Sequence, residues 1–164
     1  MKYFFPALMA LLILVGIALV VTPYVAEYFL PASATSLRVA KPADVRQALA
    51  SWFGVSLEQV SDAKGVTQMS AQGNTSWFSF GMEQQAVARF IQQNRLEQQE
   101  LNADTLQRVF SANEPPAEWW QPQSLTRQTC FIGMDEGHSL GLIYNAELQR
   151  GFLVSKTGKK TGNF

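Results

Sequence analysis

His138 is the only histidine in the chain and Cys130 the only cysteine, so any imidazole or thiolate chemistry must use these two residues. A thiolate–imidazole pair has to meet within hydrogen-bond reach. If the chain turns back at Asp135-Glu136-Gly137, Met134 is expected opposite His138 and Cys130 opposite Leu142, which leaves the pair roughly 13 Å apart along the ladder. Asp135, Glu136 and His138 offer metal ligands from one turn. Three adjacent turn residues do not converge on one ion, and structural zinc takes four well-spaced nitrogen or sulfur ligands. No metal and no cofactor is therefore expected. Glu97 and Glu100 are free carboxylates, but they are expected on the polar end of a helix with no apolar pocket to raise a pKa. A carboxylate-based hydrolase would need two facing acids in a cleft. Lys156-Thr157-Gly158-Lys159 lacks the rest of a phosphate-binding loop. The chemistry available points to a non-enzymatic protein.

The residues better suited to recognition are aromatic. In Pro115-Pro116-Ala117-Glu118-Trp119-Trp120-Gln121-Pro122 proline stiffens both flanks and presents two indoles with little conformational freedom. One reading is a rigid corner folding Trp side chains over the open side of the core. The other is a binding anchor, because Trp is enriched where interfaces concentrate their energy. One indole is expected inside and the other partly exposed. Trp77 and Phe90 complete the candidate binding set with Trp119 and Trp120. An aromatic-lined cavity near Trp77, Phe90 and Trp120, between sheet and helices, would suit a small apolar molecule or a lipid.

The elements that must position these side chains follow from hydrophobic period. Lys41 to Phe53 reads as a helix: Pro42 suits its first turn, Asp44 faces the dipole, and Gly54 ends it. Val45, Ala48, Leu49, Trp52 and Phe53 make one apolar stripe expected to pack on a sheet. Ser56 to Lys64 is ambiguous, with a helical turn at Ser56. Gly65 to Gln72 and Thr75 to Phe80 read as strands around a Gly73-Asn74 turn. Trp77 and Ser79 point one way and Phe78 and Phe80 the other, so aromatics on both sides make this an interior strand. Met82 to Leu96 is a helix with Ala86, Val87, Phe90 and Ile91 inward. A weaker helix starts at Asn102 or Asp104, with Leu106, Val109 and Phe110 inward. Gln128 to Met134, Ser139 to Tyr144 and Phe152 to Ser155 form a closing meander. Strands segregated from helices predict α+β: a small antiparallel sheet of about five strands with two or three helices on one face.

Before this domain, Tyr3 to Ala26 contains no charged residue. As a helix it would reach about 36 Å, against a hydrocarbon thickness of about 30 Å, and only a helix satisfies its own backbone in lipid. Residues 1–30 are read as a membrane anchor touching lipid through residues 4–26, 31–40 as a short linker, 41–156 as the domain and 157–164 as a loose basic tail. Cleavage at Ala32-Ser33-Ala34 and secretion is the alternative; the overlong apolar run and the bulky Tyr24, Tyr28 and Phe29 favour a retained anchor. Lys2 favours an amino terminus inside the cell and a domain outside the cytoplasm, against which Arg38 and Lys41 weigh. The chain carries 13 basic and 13 acidic residues. That neutrality argues against a nucleic-acid partner, which requires a basic face. A lone cysteine forms no internal disulfide.

Phe78-Ser79-Phe80, a helix carrying Arg89-Phe90-Ile91, the Pro-Pro-x-x-Trp-Trp-x-Pro string and a closing hairpin with Tyr144-Asn145 and Gly151 resemble small bacterial membrane-anchored or lipidated extracytoplasmic proteins. The resemblance covers roughly Gly65 to Val154 and implies an inner-membrane location without bringing any catalytic residue. The functional expectation is a single-pass, membrane-anchored module that binds another protein, in an envelope complex or as an inhibitor. A lipid or small-molecule sensor is the alternative, and a hydrolase comes third.

Overall fold

The computed structural model describes residues 36–112, 114–135 and 137–158. The expected anchor helix, the start of the linker and residues 159–164 lie outside them. Among the described residues no helix is long and apolar enough to cross a membrane.

Seven antiparallel strands form one sheet: β1 (Ser36–Val39), β2 (Ser61–Ser70), β3 (Gly73–Gly81), β4 (Glu97–Gln99), β5 (Thr129–Asp135), β6 (His138–Asn145) and β7 (Arg150–Gly158), in the spatial order β1-β2-β3-β7-β6-β5-β4. Helix α1 (Pro42–Phe53) links β1 to β2, α2 (Gln84–Gln93) follows β3, and α3 (Ala103–Arg108) follows β4. The α+β class and the antiparallel sheet match expectation. The two extra strands are the edges. β1 falls in the expected linker, where Ser-Leu-Arg-Val is wholly exposed and carries no in-out alternation. β4 falls at the expected end of α2. That helix stops at Gln93, Arg95 adopts φ +52°, and Glu97 enters a strand opposite Ile132, so Glu97 is not on a helix end.

The sheet is covered on both faces, not one. Successive strand residues point to opposite sides. Phe78, Phe80, Leu142, Tyr144 and Leu153 pack with α1 and α2 residues Val45, Leu49, Phe53, Val87 and Phe90. Trp77, Ile143, Phe152 and Val154 pack on the other side with Val109, Phe110, Trp120 and Leu125. The interior position of the Trp77–Phe80 strand is as expected: β3 lies between β2 and β7, with Phe80 fully buried and Trp77 nearly so. The second layer is what the helix-on-one-face expectation lacks.

Local signals act where they stand in the sequence. Gly54 caps α1 in the left-handed region, φ +62°. Asn102 accepts the Thr105 backbone N–H at 2.8 Å and starts α3. The β2–β3 turn lies at Ala71-Gln72, two residues before the expected Gly73-Asn74. Gly73 instead begins β3 at φ +144°, where a Cβ would fall 2.0 Å from the Thr157 carbonyl oxygen, so only glycine fits. β7 runs on through Gly158, which removes Thr157 and Gly158 from the expected loose tail.

Gly141 of β6 is a site of close packing. A Cβ there would meet Val109 Cγ1 at 2.6 Å, Val154 Cγ1 at 2.8 Å and Phe110 Cζ at 3.1 Å. Both valines are stiff at χ1 and yield little. Gly141→Ala should destabilise the domain by about 1–3 kcal/mol in chemical denaturation. Gly141→Ala with Val109→Ala should show non-additive recovery of part of that loss; purely additive losses would place the α3 layer elsewhere.

Candidate functional site

The sequence-predicted aromatics divide between the two faces. Trp120 is fully buried; its Nε1–H donates to the Phe110 carbonyl at 2.8 Å, and its ring meets Phe152 edge-on at 5.3 Å. Trp119 is half-buried beside it, with ring centroids 6.0 Å apart and an interplanar angle of 80°. One indole in and one partly out is the expected division, and the Trp120 side chain closes the second core. Trp77 is buried on that same face, while Phe90 is buried on the other, stacked on Phe53 at 4.2 Å. No single cavity can therefore join Trp77, Phe90 and Trp120, because the sheet stands between Phe90 and the other two. Trp119 borders only a small cleft of about 170 Å³, with Lys64, Ser79, Glu118 and Arg150 among its lining.

The residue that sequence periodicity misplaces is Trp52. It belongs to the apolar stripe of α1, yet it is 43% exposed and rests edge-on against Phe78 at 5.2 Å. It sits at the margin of the stripe, where Val45, Leu49 and Phe53 already fill the contact with the sheet. Trp52, Phe90, Asn94, His138, Leu140 and Ser155 line an open groove of about 280 Å³. Asn94, His138 and Leu140 also line a neighbouring cleft of about 600 Å³ that reaches Arg95, Leu96, Gly133 and Met134. The two make one trough along the helix side of β5–β6, apolar at Trp52 and polar toward Arg95.

Each wall has a sequence cause. Asn94 ends α2, and its side-chain amide donates to the Phe90 carbonyl at 2.9 Å, which leaves its Oδ1 free of that bond. Gly133 admits Leu96: a Cβ there would lie 2.4 Å from Leu96 Cδ2. His138 opens β6 opposite Asp135 and Thr157, and its Nε2 lies 3.4 Å from Thr157 Oγ1. Tyr144 donates to the Met82 carbonyl at 2.6 Å and fixes β6 against the β3–α2 junction. Burial and then the nearby Glu83 carboxylate hold its phenol above the usual range. Asn145 is buried; its amide donates to the Thr126 carbonyl and its Oδ1 accepts from the Leu148 N–H at 2.8 Å, locking the far end of the same strand.

The expected separation of Cys130 from His138 holds for a stronger reason than distance. The hairpin pairs Asp135 with His138 and Cys130 with Ile143, a register one residue from the expected one, because Asp135 is paired in the strand instead of belonging to the turn. Cys130 then lies in the Trp120 core and His138 on the opposite face beside Leu140. The clefts at Glu97, Glu118 and Asp44 each bring a single carboxylate. Among the described residues no three of His, Cys, Asp and Glu gather as metal ligands. Comparison of the chain with protein-family models, curated proteins and solved structures gives no match.

Burial pushes the Cys130 thiol up to about 11. A raised thiol pKa means less thiolate at a given pH, roughly one part in a thousand at pH 8. Alkylation of the native protein at pH 8 should be negligible, should quicken as pH climbs toward the raised value, and should go to completion in denaturant. Fast native labelling at pH 8 would contradict a sealed second core.

Proposed function

We propose that this chain is a single-pass bacterial membrane protein whose domain lies outside the cytoplasm and holds a segment of another protein in the trough beside α1 and α2. The uncharged run Tyr3–Ala26 supports the anchor. The observation that carries the binding reading is the exposed Trp52 indole in the lining of an open groove that adjoins a second cleft at Asn94, His138 and Leu140. An indole offers a large rigid contact at small entropic cost, and Asn94, His138 and Arg95 supply polar groups along the floor and rim. A groove and a cleft that share Asn94, His138 and Leu140 suit an extended segment laid across both, with one apolar side chain against Trp52 and Leu140. The role is non-enzymatic. Trp119, the other partly exposed indole, lies on the opposite face and is a second, smaller contact point.

The apolar end of the groove, Trp52 with Phe90 and Leu140, also favours a second reading, in which an acyl chain or small apolar molecule is the occupant. The two differ in what they capture. A photo-crosslinking residue at Trp52 or at Asn94, in cells expressing the full chain, should give the same discrete protein adduct from both positions and none from Leu148. Adducts of lipid or metabolite mass would favour the second reading. No adduct at either groove position, or the same adduct from Leu148, would contradict both. A reporter active only outside the cytoplasm, fused after residue 164, should be active in the same cells.

A further inference from the structure

The cleft beside Trp119 collects polar groups that neither the trough nor the second core uses. Strand register builds its floor. Lys64 pairs with Ser79 and Ser79 with Phe152, so the three stand in one row across β2, β3 and β7 on the Trp120 face. Lys64 reaches that row through a bulge: the step from Ser61 to Lys64 runs against the shorter step from Gly81 to Ser79, and Asp62 takes φ +46°. The extra residue sets the face of every later β2 side chain. Arg150 stands on the same face, about 7 Å before Phe152 along β7. Ser79 is buried, while Lys64 and Arg150 are exposed. The wall is a wound loop. The Trp120 N–H donates to the Ala117 carbonyl at 3.0 Å and the Gln121 N–H to the Trp119 carbonyl at 3.1 Å. Gln121 Nε2 donates to the Glu118 carbonyl at 3.2 Å, and Ser124 Oγ to the Gln121 carbonyl at 2.6 Å. With the Trp120 ring set against it at 80°, the Trp119 indole is held in place before any ligand arrives.

Each part narrows the ligand. The cleft of about 170 Å³ has room for about five or six waters, the size of one six-membered sugar ring and too short for a peptide segment. A half-buried indole offers a flat apolar face to the C–H side of such a ring, whose hydroxyls need donors and acceptors together. Glu118 and the Gln121 amide oxygen accept, and the Ser79 hydroxyl does both. Among the described residues the ion pairs join Asp104 with Arg108 and Arg127 with Glu147, so Lys64, Arg150 and Glu118 enter neither. Two cations therefore face one carboxylate around the indole. A bare anion would leave the indole unused, and a wholly apolar ligand would strip water from three charged groups without pairing them. The excess cation selects a ring that carries an acid group. We infer that this cleft binds an acidic saccharide, its ring stacked on Trp119 and its carboxylate held by Lys64 and Arg150. The site is separate from the trough and depends on neither its occupant nor the anchor.

The probes are methyl glucuronide and methyl glucoside, which differ only in a carboxylate against a hydroxymethyl group. Saturation-transfer NMR follows both with the full chain in a detergent that lacks a sugar headgroup. The glucuronide should be saturated chiefly at its ring C–H protons and should bind about fivefold more tightly than the glucoside, the effect of one exposed ion pair. Lys64→Gln and Arg150→Gln, both surface changes, should each shrink that preference and leave glucoside binding unaltered. Trp119→Ala should weaken both sugars about tenfold, the loss of an aromatic anchor, and Trp52→Ala should weaken neither. No transfer to either sugar at millimolar concentration would overturn the site. Equal binding of the two sugars, or acetate binding as tightly as the glucuronide, would overturn the acidic-saccharide assignment. Binding lost with Trp52→Ala and kept with Trp119→Ala would move the sugar to the trough and overturn the inference while leaving the trough standing.

Discussion

The constraint on which this structure depends is that β3, β6 and β7 carry apolar side chains on both faces. A strand with Trp77 on one side and Phe78 and Phe80 on the other is stable only inside a three-layer arrangement. The helices α1 and α2 supply one cover. The other has to be built from a six-residue helix, the loop after it and the Trp120 ring. Burying an indole of this kind removes about 200 Å² from water, a gross gain of about 5 kcal/mol. Its N–H would be costly to bury unpaired, and the Phe110 carbonyl at the end of the α3 segment satisfies it. The proline-flanked Trp-Trp string is the lid of the second core, with Trp119 left at its edge.

Much of this was legible in residue order. Aromatics alternating through Trp77–Phe80 announced an interior strand, Gly54 and Asn102 marked helix ends, and the closing meander followed period-two patterning. What was not legible has common physical causes. The edge strands β1 and β4 are short and entirely exposed, so they carry no burial pattern and exist only because β2 and β5 offer free backbone groups. The hairpin register differs by one residue because Asp135 pairs with His138 instead of standing in the turn, and with a period of two that decides which side chains share a face. Periodicity placed Trp52 in the core stripe, but it cannot say that three neighbours saturate the contact first.

The candidate site has a similar history. Phe90 and His138 were both singled out from sequence, one as an aromatic candidate and one as the lone imidazole, yet nothing in their spacing joins them. They meet because α2 ends at Asn94 over the open end of β6, where the core layer gives out and Trp52, Leu140 and Ser155 are left uncovered. The groove is thus a by-product of where helices stop relative to strands. Its lining is apolar at Trp52, Phe90 and Leu140 and polar at Asn94 and His138.

The claim that two independent covers protect one doubly buried sheet is tested most directly by native-state hydrogen exchange of the full chain in detergent. The slowest amides should lie in the centres of β3, β6 and β7, around Trp77, Leu142 and Leu153, with β1 and β4 exchanging early and the segment around Phe110 protected well beyond its short helix length. If the Val109–Trp120 region exchanged as fast as an exposed loop while the α1–α2 side stayed protected, the second cover would not exist and the account would fail.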